Sequence, residues 1–217
     1  MKKLRCLVTA GPTREYFDSV RFISNPSSGK MGWHIANAAE RAGWETTLVL
    51  GPSGLPDASC SRTVRVVSAQ DMLEECLGLF CDTDILIMSA AVSDVRPKVR
   101  VGQKVKKADI DLNPQLERTP DILATLSQMR RAGQILVGFA AETHNVLEYA
   151  AGKLEQKNLD CVVANDVSAA GLGFASDYNR VCLVLRGAGT VDLGNGPKEI
   201  LAEKLVGFIA ERFVKNL

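Results

Sequence analysis

The sequence predicts an α/β fold: a doubly wound, mostly parallel sheet with one β-excursion or flap. Three observations carry this. Short β-branched apolar runs alternate with longer helical patterns along the chain. Most of those runs are apolar almost without interruption, as strands covered on both faces must be. The length of 217 residues, with 46% hydrophobic and 24% charged residues, fits one larger globular domain over 1–217 and excludes a disordered or fibrous chain.

Strands are predicted over 4–10, 45–50, 63–67, 85–90, 134–140, 160–164 and 180–185. Helices are predicted between them, over 32–41, 69–80, 120–131, 145–157 and 197–214. The first strand ends in a Gly11-Pro12 turn. Pro120 and Asp121 suit a helix first turn, and Asn145-Val-Leu-Glu148 resembles a capping box. The stretch from Asp94 to Pro120 fits neither pattern. It is long and basic in its first half, and Val99, Val101, Val105, Ile110 and Leu112 alternate with polar residues. A connection of that length inside a compact domain is usually functional. We expect a β-excursion with a lysine-bearing flap over about 95–115; a solvated surface hairpin is the plainer alternative.

Lys plus Arg 26 against Asp plus Glu 25 leaves a net charge of +1, so no global field draws the chain to nucleic acid or an anionic membrane. No apolar run approaches the eighteen or so residues of a membrane span. The apolar part of the N-terminus is too short for a signal peptide, and a cytoplasmic protein is expected. Cys6, Cys60, Cys76, Cys81, Cys161 and Cys182 are scattered without a CxxC pair and read as structural. His34 and His144 have no partner at metal-ligand spacing.

Ligands of an open α/β sheet gather at the carboxyl ends of its strands. Four loops there carry unusual residues. The first runs from Gly11 to Gly32 and ends in Ser27-Ser28-Gly29-Lys30, which could cradle a phosphate or simply cap a helix through serine. The second is Ser89-Ala90-Ala91-Val92-Ser93-Asp94. Its small residues admit a flat ring, and Asp94 suits a metal, a polar ligand or a cap. The third is Gly138-Phe139-Ala140-Ala141-Glu142-Thr143; the fourth is Ala164-Asn165-Asp166-Val167, leading into a glycine-rich run at 171–177. Lys153 and Lys157 are one helical turn apart, fit for polyphosphate or for an exposed solvated face. No G-x-G-x-x-G follows the first strand, and the second ends in Gly51-Pro52 with no acidic residue for a ribose hydroxyl. The P-loop pattern fails as well, because Met31 follows Ser28-Gly29-Lys30.

Together, Gly11-Pro-Thr-Arg-Glu, Val20-Arg-Phe-Ile-Ser-Asn25, Ser27-Ser-Gly-Lys-Met-Gly32, Ala90-Ala-Val-Ser-Asp94, Lys104-Val-Lys-Lys107, Gly138-Phe-Ala-Ala-Glu-Thr143, Lys157-Asn-Leu-Asp160 and Ala164-Asn-Asp-Val167 resemble the phosphopantothenate–cysteine ligases, also called phosphopantothenoylcysteine synthetases. The resemblance runs in order over most of the chain and implies a Rossmann-like ligase of coenzyme A biosynthesis. Such an enzyme activates 4′-phosphopantothenate with CTP, or ATP in some members, to an acyl nucleotide with loss of pyrophosphate. L-cysteine then displaces the nucleoside monophosphate.

On that resemblance Asn25 and Lys104 are the catalytic pair, Asn25 against the acyl phosphate and Lys104 on the closing flap. Ser27, Ser28 and Gly29 would bind phosphate; Ala90 and Asp94 would meet the nucleotide, with Asp94 on Mg²⁺. Pro120, Asp121, Ile122 and Phe139 would line the nucleotide pocket, Lys153 and Lys157 would hold its phosphates, and Ala140 and Ala141 would contact substrate. The resemblance further implies a homodimer built through the excursion. It implies no flavin, since the first strand begins at Leu4 and leaves no room for the flavin-containing decarboxylase domain to which many members are fused. Val95 departs from the family, which usually carries an aromatic residue after the aspartate. Two other classes compete. Tyr149-Ala-Ala-Gly-Lys153 has the spacing of a nicotinamide-dependent short-chain reductase, though the cofactor fingerprint is missing. A non-catalytic flavin- or nucleotide-binding module is the third reading.

Overall fold

A computed structural model of the chain describes residues 3–166 and 176–214. Its centre is an eight-stranded sheet built from β1 (Arg5–Ala10), β4 (Glu45–Leu50), β5 (Arg62–Arg65), β6 (Ile85–Met88), β9 (Ile135–Glu142), β10 (Cys161–Asp166), β11 (Tyr178–Leu185) and β12 (Gly189–Pro197). Across the sheet they lie in the order β12-β11-β10-β9-β6-β1-β4-β5. The first six in chain order pair in parallel, and β11 and β12 add an antiparallel hairpin at one edge. Numbered along the chain, the parallel strands lie in the order 3-2-1-4-5-6, so the winding reverses between β1 and β6.

Successive residues of the central strands face opposite layers, which is why these runs are apolar throughout. Val8, Ile87, Val137 and Val163 pack under α1 (Lys30–Arg41) and α5 (Lys198–Ile209). Leu7, Leu86, Leu136 and Val162 pack under α2 (Ala69–Phe80), α3 (Ile122–Gln128) and α4 (Val146–Gln156). The capping box of α2, Ser68 with Asp71, fixes its start. Cys76 and Cys161 are buried in these layers, where desolvation pushes each thiol up to about 12 and makes it a small hydrophobe.

Several expectations are corrected. Asn145 begins α4 in the left-handed region (φ 47) and its side chain makes no capping bond, so the capping box with Glu148 does not form. Gly29, not a serine, is the N-cap of α1, and having no side chain it makes no capping bond to the first turn. The long helix at 197–214 is α5 followed by one π-helical turn, Ala210–Val214. β12 was not expected, because its polar and glycine residues hide the strand period. The excursion exists, but only its base is strand: β7 (Val95–Pro97) pairs antiparallel with β8 (Leu116–Arg118). The alternating apolar residues between them form no strand, and Val99, Val101 and Leu112 are exposed. No described helix is long and apolar enough to cross a membrane.

Candidate active site

Ligand-bearing clefts form where winding reverses, because the connections on either side leave the strand ends uncovered. Here the opening lies beyond β1 and β6. Three backbone segments meet beneath it at van der Waals distance. Gly11 follows β1 (φ +79), Gly51 follows β4, and Gly29 precedes α1 (φ +80). A Cβ on Gly29 would lie 3.1 Å from the Gly11 Cα, and one on Gly51 would lie 1.9 Å from the Pro12 carbonyl oxygen. One turn into α1, a Cβ on Gly32 would lie 2.5 Å from the Ala10 Cβ. Glycine at these positions therefore lets the helix start sit directly on the strand ends.

The long first loop is not irregular. It holds a second unexpected hairpin, β2 (Arg14–Tyr16) with β3 (Phe22–Ser24), turned around Asp18. The Asp18 carboxylate, 1% exposed as a residue, accepts from the backbone N–H groups of Val20 and Arg21 at 2.8 Å and from Val105 N–H at 3.2 Å, with the Arg21 guanidinium beside it. Those bonds hold its pKa down to about 2. Arg21 also donates to the Val105 carbonyl, and Val101 N–H donates to the Phe17 carbonyl. The excursion is thus pinned to the first loop next to Lys104.

The first loop is also joined to the second. Ala91 N–H donates to the Gly11 carbonyl at 2.9 Å and Ser93 N–H to the Thr13 hydroxyl at 3.0 Å. Asn25 completes the seam, its amide nitrogen donating to the Ala91 and Val92 carbonyls at 3.2 and 3.0 Å. Both amide protons are spent there, so contact with an acyl phosphate through that nitrogen requires giving up one of these bonds. Ala90 N–H is likewise engaged, by the Thr9 hydroxyl at 3.2 Å.

These loops wall a cleft of about 730 Å³. Asn25, Ser27, Ser28, Gly29, Ala90 and Asp94 line it, together with Pro120, Asp121, Ile122, Phe139, Ala140 and Ala141. Lys153 and Lys157 reach it from α4. Every site residue expected from sequence therefore meets here except Lys104, which is exposed and outside the lining. The backbone of its neighbour Val105 is bound to Asp18, which pins this part of the flap to the first loop.

The cations are not equivalent. Lys153 is recessed and donates to the Phe139 carbonyl; burial, then the charge of Lys157, lowers its pKa from the ordinary 10.5, against Asp121, Glu142 and Asp94. Lys157 pairs with Asp121 at 2.9 Å. Burial alone would raise the Asp121 carboxyl, but the Lys157 hydrogen bond and the Ala124 N–H outweigh it, and its pKa is lowered. Asp121 thereby caps α3 and aims Lys157. The Asp94 side chain makes no hydrogen bond or salt bridge among the described residues, so its carboxylate is available to a ligand. Mg²⁺ usually takes one or two carboxylates plus substrate phosphates, and Asp94 facing a lysine-lined cleft fits that donor set. Among the described residues no three His, Cys, Asp or Glu side chains group as a metal cage.

Tyr149 and Lys153 do not act together. Tyr149 is exposed and bonds His144 at 3.2 Å, whereas Lys153 turns to Phe139. Sequence reasoning missed Arg118, Asn179 and Lys198 in the lining, and placed Glu142 and Asn165 on the third and fourth loops without giving either a role. Asn165 and Asn179 join side chain to side chain at 3.0 Å across β10 and β11, a pairing only the antiparallel register creates. The Gly-Pro pair before Lys198 was the available signal for that helix start. The glycine-rich run at 171–175 lies outside the described residues.

Residues 1–213 match the family described as the DNA/pantothenate metabolism flavoprotein C-terminal domain. The coenzyme A biosynthesis bifunctional protein CoaBC of Bacillus subtilis (strain 168) is 45% identical over 181 residues, covering 83% of this chain and 44% of that protein. The chain thus spans less than half of that relative. The crystal structure of the C-terminal domain of a coenzyme A biosynthesis bifunctional protein CoaBC superposes with a TM-score of 0.83 at 40% identity, covering 100% of this chain and 98% of that one. A Cab2 mutant H337A in complex with phosphopantothenate-cysteine shares the fold, with a TM-score of 0.77 at 17% identity, over 98% and 88% of the two chains.

Proposed function

The chain belongs to the family of DNA/pantothenate metabolism flavoprotein C-terminal domains, and from that premise we propose that it is a nucleotide-dependent ligase joining 4′-phosphopantothenate to L-cysteine in coenzyme A biosynthesis. The observation that carries this reading is the cleft itself. It brings two lysines, one of them recessed, together with small-residue loops and a serine-lined helix start at the reversal of the sheet. That is a layout for a polyphosphate lying against a second anion.

In this mechanism the acid's carboxylate oxygen attacks the α-phosphorus of CTP, an O–P bond forms, and pyrophosphate leaves. The cysteine nitrogen then attacks the acyl carbon, CMP leaves, and the ammonium proton goes to solvent. Lys153 and Lys157 offset the charge of the triphosphate, Lys153 all the more because its surroundings are poor in water. Ser27, Ser28 and Gly29 hold phosphate at the start of α1, and Ala140 and Ala141 keep their wall shallow enough for the acyl chain. Asn25 keeps the first and second loops in register and exchanges one of its carbonyl bonds for the acyl phosphate. Lys104 reaches the reacting centre when the flap leaves Asp18. Asp94 would hold Mg²⁺, which would offset phosphate charge. Cysteine brings its own nucleophile, consistent with protein thiols that are buried or outside the cleft.

The chain is further proposed to act as a homodimer through the hairpin and excursion. Val20, Phe22, Val99, Val101 and Leu116 are all exposed on these two neighbouring segments, an apolar grouping that a monomer would leave in water.

The deciding experiment is pyrophosphate release from CTP and, separately, ATP, with 4′-phosphopantothenate and Mg²⁺, before and after cysteine is added. Release with CTP, raised by cysteine, is expected. Release with ATP alone keeps the chemistry and reassigns the nucleotide. Silence with both from folded protein refutes the ligase and returns the chain to a nucleotide-binding module.

A further inference from the structure

The carboxylates that line the cleft are Asp94, Asp121 and Glu142. Asp121 is consumed by the fold, since it caps α3 and pairs with Lys157. Asp94 stands on the loop after β6, where Mg²⁺ would be held. Glu142 closes β9, one residue beyond Ala141, and is only partly exposed. Its side chain makes no hydrogen bond or salt bridge among the described residues. The charge of Glu142 is felt by Lys153, yet Lys153 donates to the Phe139 carbonyl instead.

A partly buried carboxylate without a counter-ion gives up hydration and receives nothing in exchange. Two of the three reactants of the ligase reading make this worse. The nucleoside triphosphate and the phosphorylated acid are both anions, suited to Lys30, Arg118, Lys153, Lys157 and Lys198 of the same lining. An acidic side chain among these cations opposes both anions unless a positive charge arrives with the third reactant. L-cysteine is that reactant, and its ammonium is the one cationic group that any of the three carries.

We propose that Glu142 receives the ammonium group of L-cysteine and so defines the amino-acid end of the cleft. The inference rests on the ligase reading and deepens it by giving the third substrate a site. Ala140 and Ala141, on the wall proposed for the acid, directly precede Glu142 on β9. An amino acid held at Glu142 therefore lies beside the chain it is to be joined to. The pairing is one of recognition: it gathers the amino acid from solution, and the nitrogen still loses its proton to solvent before it attacks. Its effect belongs in the KM for cysteine, because a contact made equally in the bound and reacting states leaves kcat unchanged.

The test follows the two half-reactions separately in the wild-type chain, Glu142→Gln and Glu142→Asp. Pyrophosphate release from CTP and 4′-phosphopantothenate with Mg²⁺, before any amine is added, reports the first. The second is read with L-cysteine and, in parallel, with hydroxylamine, a nucleophile that is uncharged at neutral pH and traps the acyl nucleotide as a hydroxamate. A charge-assisted contact corresponds to roughly 10–100-fold in affinity. Glu142→Gln is expected to raise the cysteine KM by that factor, with pyrophosphate release, the CTP KM and hydroxamate formation unchanged. Glu142→Asp, which keeps the charge on a shorter arm, is expected to fall between Glu142→Gln and the wild type, and carries the comparison by itself if Glu142→Gln does not fold. Equal losses with cysteine and hydroxylamine, or no loss with either, overturn the assignment. So does a folded variant that has lost pyrophosphate release or gained a higher CTP KM, since the carboxylate then serves Lys153 or Mg²⁺. In each of these cases a wild type that releases pyrophosphate keeps the ligase reading, and only this inference falls. A folded wild type that releases none with CTP or ATP takes both away.

Discussion

Gly29→Ala should separate the two reasons glycine is required at the start of α1. The first is conformational: φ is +80, and an L side chain in the left-handed region costs about 1–2 kcal/mol, of which about 0.4–1 is returned by a stiffer unfolded chain. The second is contact. The new Cβ would sit 3.1 Å from the Cα and 3.2 Å from the N of Gly11, both backbone atoms at the end of the central strand. Neither atom gives way cheaply, and overpacking of this kind costs about 1–3 kcal/mol. The net loss is roughly 1–4 kcal/mol, a melting-point drop of roughly 3–12 °C for a chain of this size. Gly43→Ala is the control: φ there is +88, but a Cβ added at that position would have nothing within 4 Å, so only the first cost applies. Thermal melts of both variants, with KM for nucleotide and acid, form the assay. Gly29→Ala should melt well below Gly43→Ala and raise both KM values, because relief of the contact moves Ser27 and Ser28. Equal melting points with unchanged KM values would refute the argument from close backbone packing.

Two further outcomes follow from the electrostatics. The lowered pKa of Lys153 means that the folded chain binds fewer protons than the unfolded one between that value and the ordinary 10.5. As pH rises through this window, ligand-free stability should therefore rise while the nucleotide KM worsens; Lys153→Arg, which stays charged, should flatten the KM profile, and an unchanged profile would exclude Lys153 as the phosphate cation. Asp18 has the opposite sign. Its folded pKa of about 2 is depressed, so its contribution is present above the ordinary carboxylate range near 4 and is lost as pH falls from there toward 2. Asp18→Asn should free the flap at Val105, speeding proteolytic cleavage within 99–115 and, because Lys104 acts once the flap leaves Asp18, raising kcat with little change in the nucleotide KM; cleavage at the wild-type rate would show that Asp18 does not hold the flap.

The buried strands were legible because burial on both faces leaves a continuous apolar run. Glu45–Leu50 and Ala69–Phe80 are found at the bounds the sequence predicts. The β2–β3 hairpin and β12 were not, since each is short or polar and is defined by its partner rather than its own period. Cleft residues on predicted loops were legible for the same topological reason, as the ends of parallel strands converge wherever the winding reverses. Lys104 was legible as an anomaly but not in position. Its place is set by Asp18, 86 residues earlier, through a backbone bond to its neighbour. Asn145 shows the opposite failure: a local capping pattern was present, and the left-handed turn out of β9 overrode it.

The 3-2-1-4-5-6 strand order has a consequence for how the molecule is made. β1 leaves the ribosome before the other strands of the sheet yet lies in its interior, between β4 and β6. β1 and β4 can associate while synthesis continues, but the cleft needs Lys153 and Lys157, which follow β9. The half-finished sheet therefore presents the Ser27–Gly29 part of the cleft without the lysines. Pairings of such long sequence separation close slowly, and the site is among the last features to appear. On the proposed ligase reading, nucleotide recognises only the finished sheet, and its binding then adds to the free energy that keeps the late-arriving half docked.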